Sequence, residues 1–293
     1  MGVRNSMNGQ IGKVNLILDK KNDPAIISFG SSVGEVGFNS NIIAKKTGLS
    51  VFNSCIDGTS YIQYKGLIDV FTKSSKNNRT VVFMESYFTF QNPGEVSSLE
   101  RYISHLGNQD IYESLHYLQA ELLWKCKYVP FYQYIPVTHL YYKNAFAGLK
   151  NYVKNATFND SLNGYTPVYR SWEIDQDNYL KNTKPFHVPI NKEVVEKYLA
   201  TVNSLQKAGK KVVVVIPPVY KIVTEKLTDF NPLRETFKEI SRKTGCVFID
   251  FTSNVICNDK KYFYNGNHMN AIGSNLFSTQ LADSLNALIP AAH

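Results

Sequence analysis

The unbroken apolar run VVVVI within residues 211–216 constrains this chain more than any other feature. A strand with one solvated face alternates apolar and polar residues, whereas one that is apolar throughout must be covered on both faces. Four more short runs have the same character: AIISFG at 25–30, SVFNS at 50–54, TVVFM at 80–84 and CVFID at 246–250. Helical patterns stand between them. Asn39 or Ser40 can cap a short helix running to about 46 and stopped by Gly48. Tyr61, Tyr64, Ile68 and Phe71 recur at helical spacing, as do Val194, Val195, Tyr198, Leu199, Val202 and Leu205 before Gly209. Further helices are expected over about 232–243, ended by Gly245, and over 271–288. Strands buried on both faces and linked by helices predict an α/β fold, a three-layer doubly wound sandwich with a five-stranded parallel sheet.

A chain of 293 residues with 43% hydrophobic and 19% charged residues can bury one large core, so a single domain over 1–293 is expected. The stretch from about 91 to 190 breaks the alternation. It is rich in Tyr, Asn and His, mostly helical in pattern, has a loop-like segment at 155–167, and reads as an insertion or cap. The net charge of +8 comes from scattered pairs such as Lys45-Lys46 and Lys210-Lys211, with no dense basic run, so no nucleic-acid partner is expected. Cys55, Cys126, Cys246 and Cys257 form no CxxC pair, which argues against structural zinc; a Cys246–Cys257 bridge stays open. No His and carboxylate cluster has ligand spacing, and no cofactor or metal is expected. No apolar stretch approaches the ~20 residues that span a bilayer, so membrane contact is expected only through an anchor trimmed from this sequence. Localisation and oligomeric state are not legible.

In open parallel sheets ligands bind beyond the carboxyl ends of the strands. The residues that follow the strands are therefore the candidates: Gly30-Ser31-Ser32, the segment 53–58, Glu85-Ser86, and the segment running on to Asn265-Gly266-Asn267-His268. A serine at a strand end can face backbone N–H groups that stabilise an oxyanion, and needs a base, usually histidine, to take its proton. His268 lies in a polar loop opening the last helix. His105, His116 and His139 fall in helix-like segments, His187 in a Pro-flanked loop, and His293 at the end.

Three blocks resemble the SGNH (GDSL-like) hydrolases. FGSSVGEVGFNSNII is similar to their first block in its GSS variant, whose second serine, here Ser32, is the nucleophile. NSCIDGTS resembles the second block, which implies that Gly58 adds a backbone N–H to that of Ser32 in the oxyanion hole. YFYNGNHMNAIGSNLFS resembles the last block, which implies His268 as the base. The GSS form and long insertion look closest to relatives of the DltD and alginate O-acetylation kind, membrane-associated or secreted proteins of the bacterial cell envelope.

Two departures stand out. The third triad position is Asn265 where the family has aspartate, and an amide cannot supply a charge to an imidazolium, although its oxygen can hold the Nδ1–H tautomer. The asparagine of the third block has no clear counterpart in MESYFTF, leaving Ser86 or Asn92 as substitutes. Three outcomes follow: a Ser–His dyad helped by a backbone carbonyl, a carboxylate from elsewhere such as Asp259, or an inactive relative.

Plainer roles compete for the same residues. Ser32 could be a helix cap, Gly58 a turn glycine, His268 a cap or surface histidine, and Asn265 a turn former. Asp57 reads as the cap of the following helix, and Glu85 as an ion-pair partner or hydrogen-bond acceptor. Tyr132, Tyr134, Tyr141 and Tyr142 could stack on sugars but read first as packing residues. The leading expectation is a serine esterase or O-acyltransferase acting on acyl esters, with a bacterial surface glycan as one substrate. A non-catalytic binding or assembly module of the same fold is the alternative. A nucleotide binder finds no Gly-rich phosphate loop to support it.

Overall fold

The computed structural model describes residues 2–20, 22–156 and 160–288, except the side chain of Ile174. Residues 157–159 of the expected loop, and His293, lie outside the described residues. Among the described residues the strands are β1 (Ile26–Gly30), β2 (Val51–Asn53), β3 (Thr80–Met84), β4 (Lys211–Ile216) and β5 (Val247–Asp250). They form one parallel sheet in the order β2-β1-β3-β4-β5. The helices up to the middle of the chain are α1 (Gly9–Leu18), α2 (Ser32–Gly37), α3 (Ser40–Thr47), α4 (Tyr61–Ser74), α5 (Gln109–His116), α6 (Ala120–Tyr128) and α7 (His139–Val153). After them come α8 (Ile174–Asn182), α9 (Lys192–Lys207), α10 (Lys221–Lys226), α11 (Phe230–Thr244) and α12 (Ala271–Leu288).

The chain divides into two compact units. One joins Met1–Asp23, Gly58–Lys76 and Asn92–Ser161; the other joins Pro24–Asp57, Asn77–Gln91 and Leu162–His293. The stretch read as an insertion over about 91–190 is thus divided between them.

The second unit holds the whole sheet. The pleat sends alternate residues to opposite faces. Ile26, Val82, Met84, Val213 and Val215 share one cluster with Ile43 of α3 and Phe277, Leu281 and Leu285 of α12. On the other face Phe83 lies 5.2 Å from Tyr198 of α9, and Phe248 stacks on Phe237 of α11 at 5.8 Å. The expected helix stops hold. Asn39 accepts from the amides of Asn41 and Ile42 at the start of α3, and Gly48 and Gly245 end α3 and α11 at φ +70° and +73°. Strand order fixes where a ligand can enter. From β1 the chain steps to one side for β2 and then to the other for β3, so the crevice falls beyond the carboxyl ends of β1 and β3.

In the first unit α4 packs on α1 and α5, α5 on α6, and α7 lies against the 3-10 turn Val3–Asn5. Helix α1 was not expected from the sequence. Its Ile11, Val14, Leu16 and Ile17 are buried, as are Lys13 and Asn15, so no clean amphipathic stripe marks it.

Candidate active site

Two contacts bring Ser32 to the end of the sheet. Gly30 closes β1 beside Met84, where an added Cβ would sit 2.2 Å from the Met84 carbonyl oxygen. Gly34 does the same for α2: a Cβ there would meet the Cys55 Sγ at 2.5 Å and the Met84 Cβ at 2.6 Å. With no side chain at either position, α2 starts directly over the strand ends. Ser31 holds the cap position and Ser32 is the first helical residue. The cap reading for Ser32 is thereby corrected; its side chain goes elsewhere.

It goes to His268. The Ser32 Oγ and His268 Nε2 lie 2.8 Å apart, and His268 Nδ1 lies 3.0 Å from the Asn265 Oδ1. The same Oδ1 accepts the backbone N–H groups of Asn267 at 3.0 Å and His268 at 2.9 Å. Two main-chain donors aimed at one amide atom require that atom to be oxygen, so the proton on the third contact must belong to Nδ1. Nε2 is then the lone-pair nitrogen, and the Ser32 hydroxyl donates to it. This is the tautomer a general base needs.

The loop that carries His268 is a narrow hairpin. Tyr264 N donates to the His268 carbonyl at 3.1 Å, and Asn270 N to the Tyr262 carbonyl at 2.9 Å. Asn270 closes it, donating through Nδ2 to Lys261 and Phe263 while its Oδ1 accepts Ile272 N and Gly273 N at the start of α12. From the segment after β3, the Tyr87 hydroxyl donates to Asn267 Oδ1 at 3.0 Å. Burial pushes the Tyr87 phenol up to about 12, which keeps that donor protonated.

Burial also lowers the pKa of His268 from 6.5, against a smaller upward pull from Asp57. The imidazole is therefore neutral at pH 7, as a base must be. Residues 54–57 run on beside β1, with Ser54 N bonded to Ser28 O and Ile56 N to Gly30 O, which brings Asp57 to this end of the sheet. The His268 ring stacks on Tyr264 at 5.5 Å and 11°, and the Arg170 guanidinium lies 4.9 Å from the Tyr264 ring on its own account.

No family model and no curated protein matches the chain. Among solved structures it is similar to a proposed platelet activating factor from Streptococcus pneumonia, at 12% identity and a TM-score of 0.49, over 94% of this chain and 90% of that one. It is also similar to a GDSL-like lipase from Bacteroides thetaiotaomicron, at 8% identity and TM-score 0.43, over 94% and 99%. A proposed acylhydrolase from Bacteroides fragilis matches at 11% and 0.41, over 92% and 95%.

The other expected residues separate clearly. Asp259 is no partner of His268: it caps the turn at Lys260–Tyr262 through Lys261 N and pairs with the Lys261 ammonium at 2.8 Å. That alternative for the missing charge is corrected. Glu85 is a buried acceptor, taking the Thr89 hydroxyl at 2.6 Å and the Tyr198 hydroxyl at 2.9 Å. Ser86 Oγ accepts Phe88 N at 3.2 Å, and Asn92 Oδ1 accepts Gly94 N at 3.1 Å, both local turn bonds. The cap position of α4 is Ser60, which corrects the reading of Asp57. Gly58 is exposed with φ +68°, the conformation of a turn glycine, and belongs to the first unit. All four cysteines are buried free thiols, which removes the Cys246–Cys257 bridge. Tyr134 and Tyr142 are exposed, yet each meets the Tyr141 ring edge-on, at 6.0 and 5.5 Å, so the packing expected of them is with one another and not with the core. Among the described residues no three His, Cys, Asp or Glu side chains converge as a metal would require.

Asn53 opens the candidate segment 53–58, but its positioning role was not read from the sequence. Asn53, the last residue of β2, is fully buried, and its Nδ2 donates to the carbonyls of Gly34 at 2.9 Å, Glu35 at 3.2 Å and Phe38 at 2.9 Å. Its Oδ1 accepts Cys55 N at 2.9 Å. One amide thereby satisfies the carboxyl end of α2 and holds the helix that begins with Ser32. The available signal was an asparagine closing an otherwise apolar strand, since a buried polar group demands partners.

Proposed function

We propose that the chain is a serine ester hydrolase or acyl transferase in which Ser32 is the nucleophile and His268 the general base. The observation that carries this reading is the tautomer forced by Asn265, which leaves Nε2 unprotonated at 2.8 Å from the Ser32 hydroxyl. A hydroxyl pointed at a neutral, half-buried imidazole is the arrangement that acyl transfer uses.

In the first half-reaction the Ser32 Oγ bonds to the acyl carbonyl carbon as its proton passes to Nε2. The negative charge moves to the carbonyl oxygen, for which the resemblance implies the backbone N–H of Ser32 as a donor. Collapse breaks the ester C–O bond, and the leaving alkoxide takes the proton from Nε2. In the second half, water or an acceptor hydroxyl gives its proton to Nε2 and attacks the acyl-serine; collapse breaks the bond from Ser32 Oγ to the acyl carbon, Oγ takes the proton back from Nε2, and an acid or a new ester is released. Asn265 holds the ring and partly offsets the imidazolium charge through its amide dipole. The resemblance of the GSS block to envelope acyl transferases supports a sugar hydroxyl as acceptor. The neutral Asn265 favours the second reading, a binding module that keeps the geometry without the turnover.

The test is labelling of the purified chain by a fluorophosphonate, with Ser32→Ala and His268→Ala beside it. Labelling at Ser32 that both substitutions abolish is the expected result. A folded wild type that stays unlabelled while a known serine esterase reacts beside it would refute the activated serine and favour the binding module.

A further inference from the structure

Helix α7 is built inside out. Its inward side is polar and small. Asn144 and Gly148 are buried, Asn144 Oδ1 accepts the Ser6 hydroxyl at 2.7 Å, and Asn151 Nδ2 donates to the Asn5 carbonyl at 3.1 Å. The approach is close, for a Cβ at Gly148 would lie 1.8 Å from the Gly2 carbonyl oxygen. The large apolar residues go the other way. Tyr142, Phe146, Leu149 and Val153 are 54%, 74%, 51% and 74% exposed. Their spacing puts them on one continuous stripe of the helix. A helix normally turns such a stripe to the core, so here the stripe faces outward toward something else.

The flanking residues say what. Phe131, in the turn before α7, is 81% exposed and has φ +63°, and Ile135 is 71% exposed. A bulky residue held at positive φ is a strained feature that needs a compensating gain. The Tyr142 hydroxyl donates to the Tyr134 carbonyl at 3.3 Å, tying this turn to the stripe. On α6, Trp124 and Tyr128 are 51% and 56% exposed and lie 5.8 Å apart. From 120 to 156 the sequence carries Lys125, Lys127, Lys143, Lys150 and Lys154 against one carboxylate, Glu121, which is bonded to Lys125. Aromatic and aliphatic side chains on one face with lysines at its margins is the composition that lies in a bilayer interface, the rings at headgroup depth and the ammonium groups toward anionic phosphates. Among the described residues no helix is long and apolar enough to cross a membrane. The stripe can therefore only lie on one.

We infer that the outward face of α7, with the Phe131–Ile135 turn, is a docking surface for an anionic lipid bilayer. The inference is independent of the serine chemistry, since its residues all belong to the first unit. The charge complementarity commits it to lipid; a second copy of the chain would set lysines against lysines.

The test is flotation of the full chain with vesicles of phosphatidylcholine alone and of about three parts phosphatidylcholine to one part phosphatidylglycerol. The wild type should float with the anionic vesicles and be weakened by about 0.5 M salt, because the lysine contribution is screened. Phe146→Ser with Leu149→Ser should lower partitioning ~10-fold or more at unchanged circular dichroism, since both side chains are already in solvent. Lys143→Glu with Lys150→Glu should abolish the preference for anionic vesicles. Failure of the wild type to float would overturn the proposal, as would the serine variant floating equally well. A wild type that does not float but dimerises, with the serine variant monomeric, would overturn it in favour of self-association.

Discussion

Asn265→Asp tests the mechanism most directly because it changes a charge and little else. The Oδ1 that accepts three N–H groups is retained, and among the described residues the Nδ2 makes no hydrogen bond that would be lost. The carboxylate would sit 3.0 Å from Nδ1, or about 4 Å from the centre of the imidazolium charge. At an effective dielectric of ~20 the attraction is about 4 kcal/mol. Taking half of this as already supplied by the amide dipole leaves about 2 kcal/mol, roughly 30-fold in rate at saturating base. The pH dependence must move with it. In the wild type, burial holds His268 below 6.5, so the base is present above that value and is lost as pH falls through the lowered pKa. A carboxylate favours the imidazolium and raises the pKa, so the acid limb should shift toward neutrality while the alkaline plateau rises. The assay is the rate of fluorophosphonate labelling from pH 5 to pH 9, with the His268 ring titrated by NMR alongside. If the variant keeps the wild-type melting temperature, labels no faster at the plateau and shows an unmoved acid limb, the electrostatic role assigned to position 265 is wrong.

Other outcomes follow from the same contacts. Asn53→Ala strips one donor group from three buried carbonyls and leaves a cavity, so it should cost about 3 kcal/mol or more in urea unfolding and slow Ser32 labelling. Gly34→Ala forces a methyl against Cys55 and Met84, an overpacking cost of about 1–3 kcal/mol, and should depress labelling by displacing α2. His105 is buried with Nε2 2.7 Å from Asn15 Oδ1, and burial, with a further push from Arg4, lowers it from 6.5 to about 4. The unfolded chain then binds the proton first as pH falls, so stability is intact above 6.5 and declines toward pH 4, by about 3 kcal/mol in total. His105→Gln should flatten that part of the stability–pH curve measured by chemical denaturation.

The sequence by itself determined the sheet, because the cause is local. Runs such as TVVFM and VVVVI have no polar face to turn to water, so they can be satisfied only as strands covered on both sides, whatever the rest of the chain does. Helix ends at Gly48 and Gly245 were legible for the same kind of reason, since a residue at positive φ is a property of one position. The pairing of Ser32 with His268 was reachable only through the motifs around them; 236 residues separate the two, and no periodicity links them. That the Asn265 oxygen can hold the Nδ1–H tautomer was legible, but not that it does. Spacing alone made Asp259 as good a partner, and the choice was made by a hairpin that aims two backbone N–H groups and one ring N–H at the same oxygen. Helix α7 reversed the usual rule for a related reason. Hydropathy says which residues avoid water, but which side of a helix faces its neighbour is decided by fit, and at Gly148 the Gly2 carbonyl comes too close for any larger side chain. Tertiary contact, where backbone groups from distant segments compete for one partner or one space, settled both.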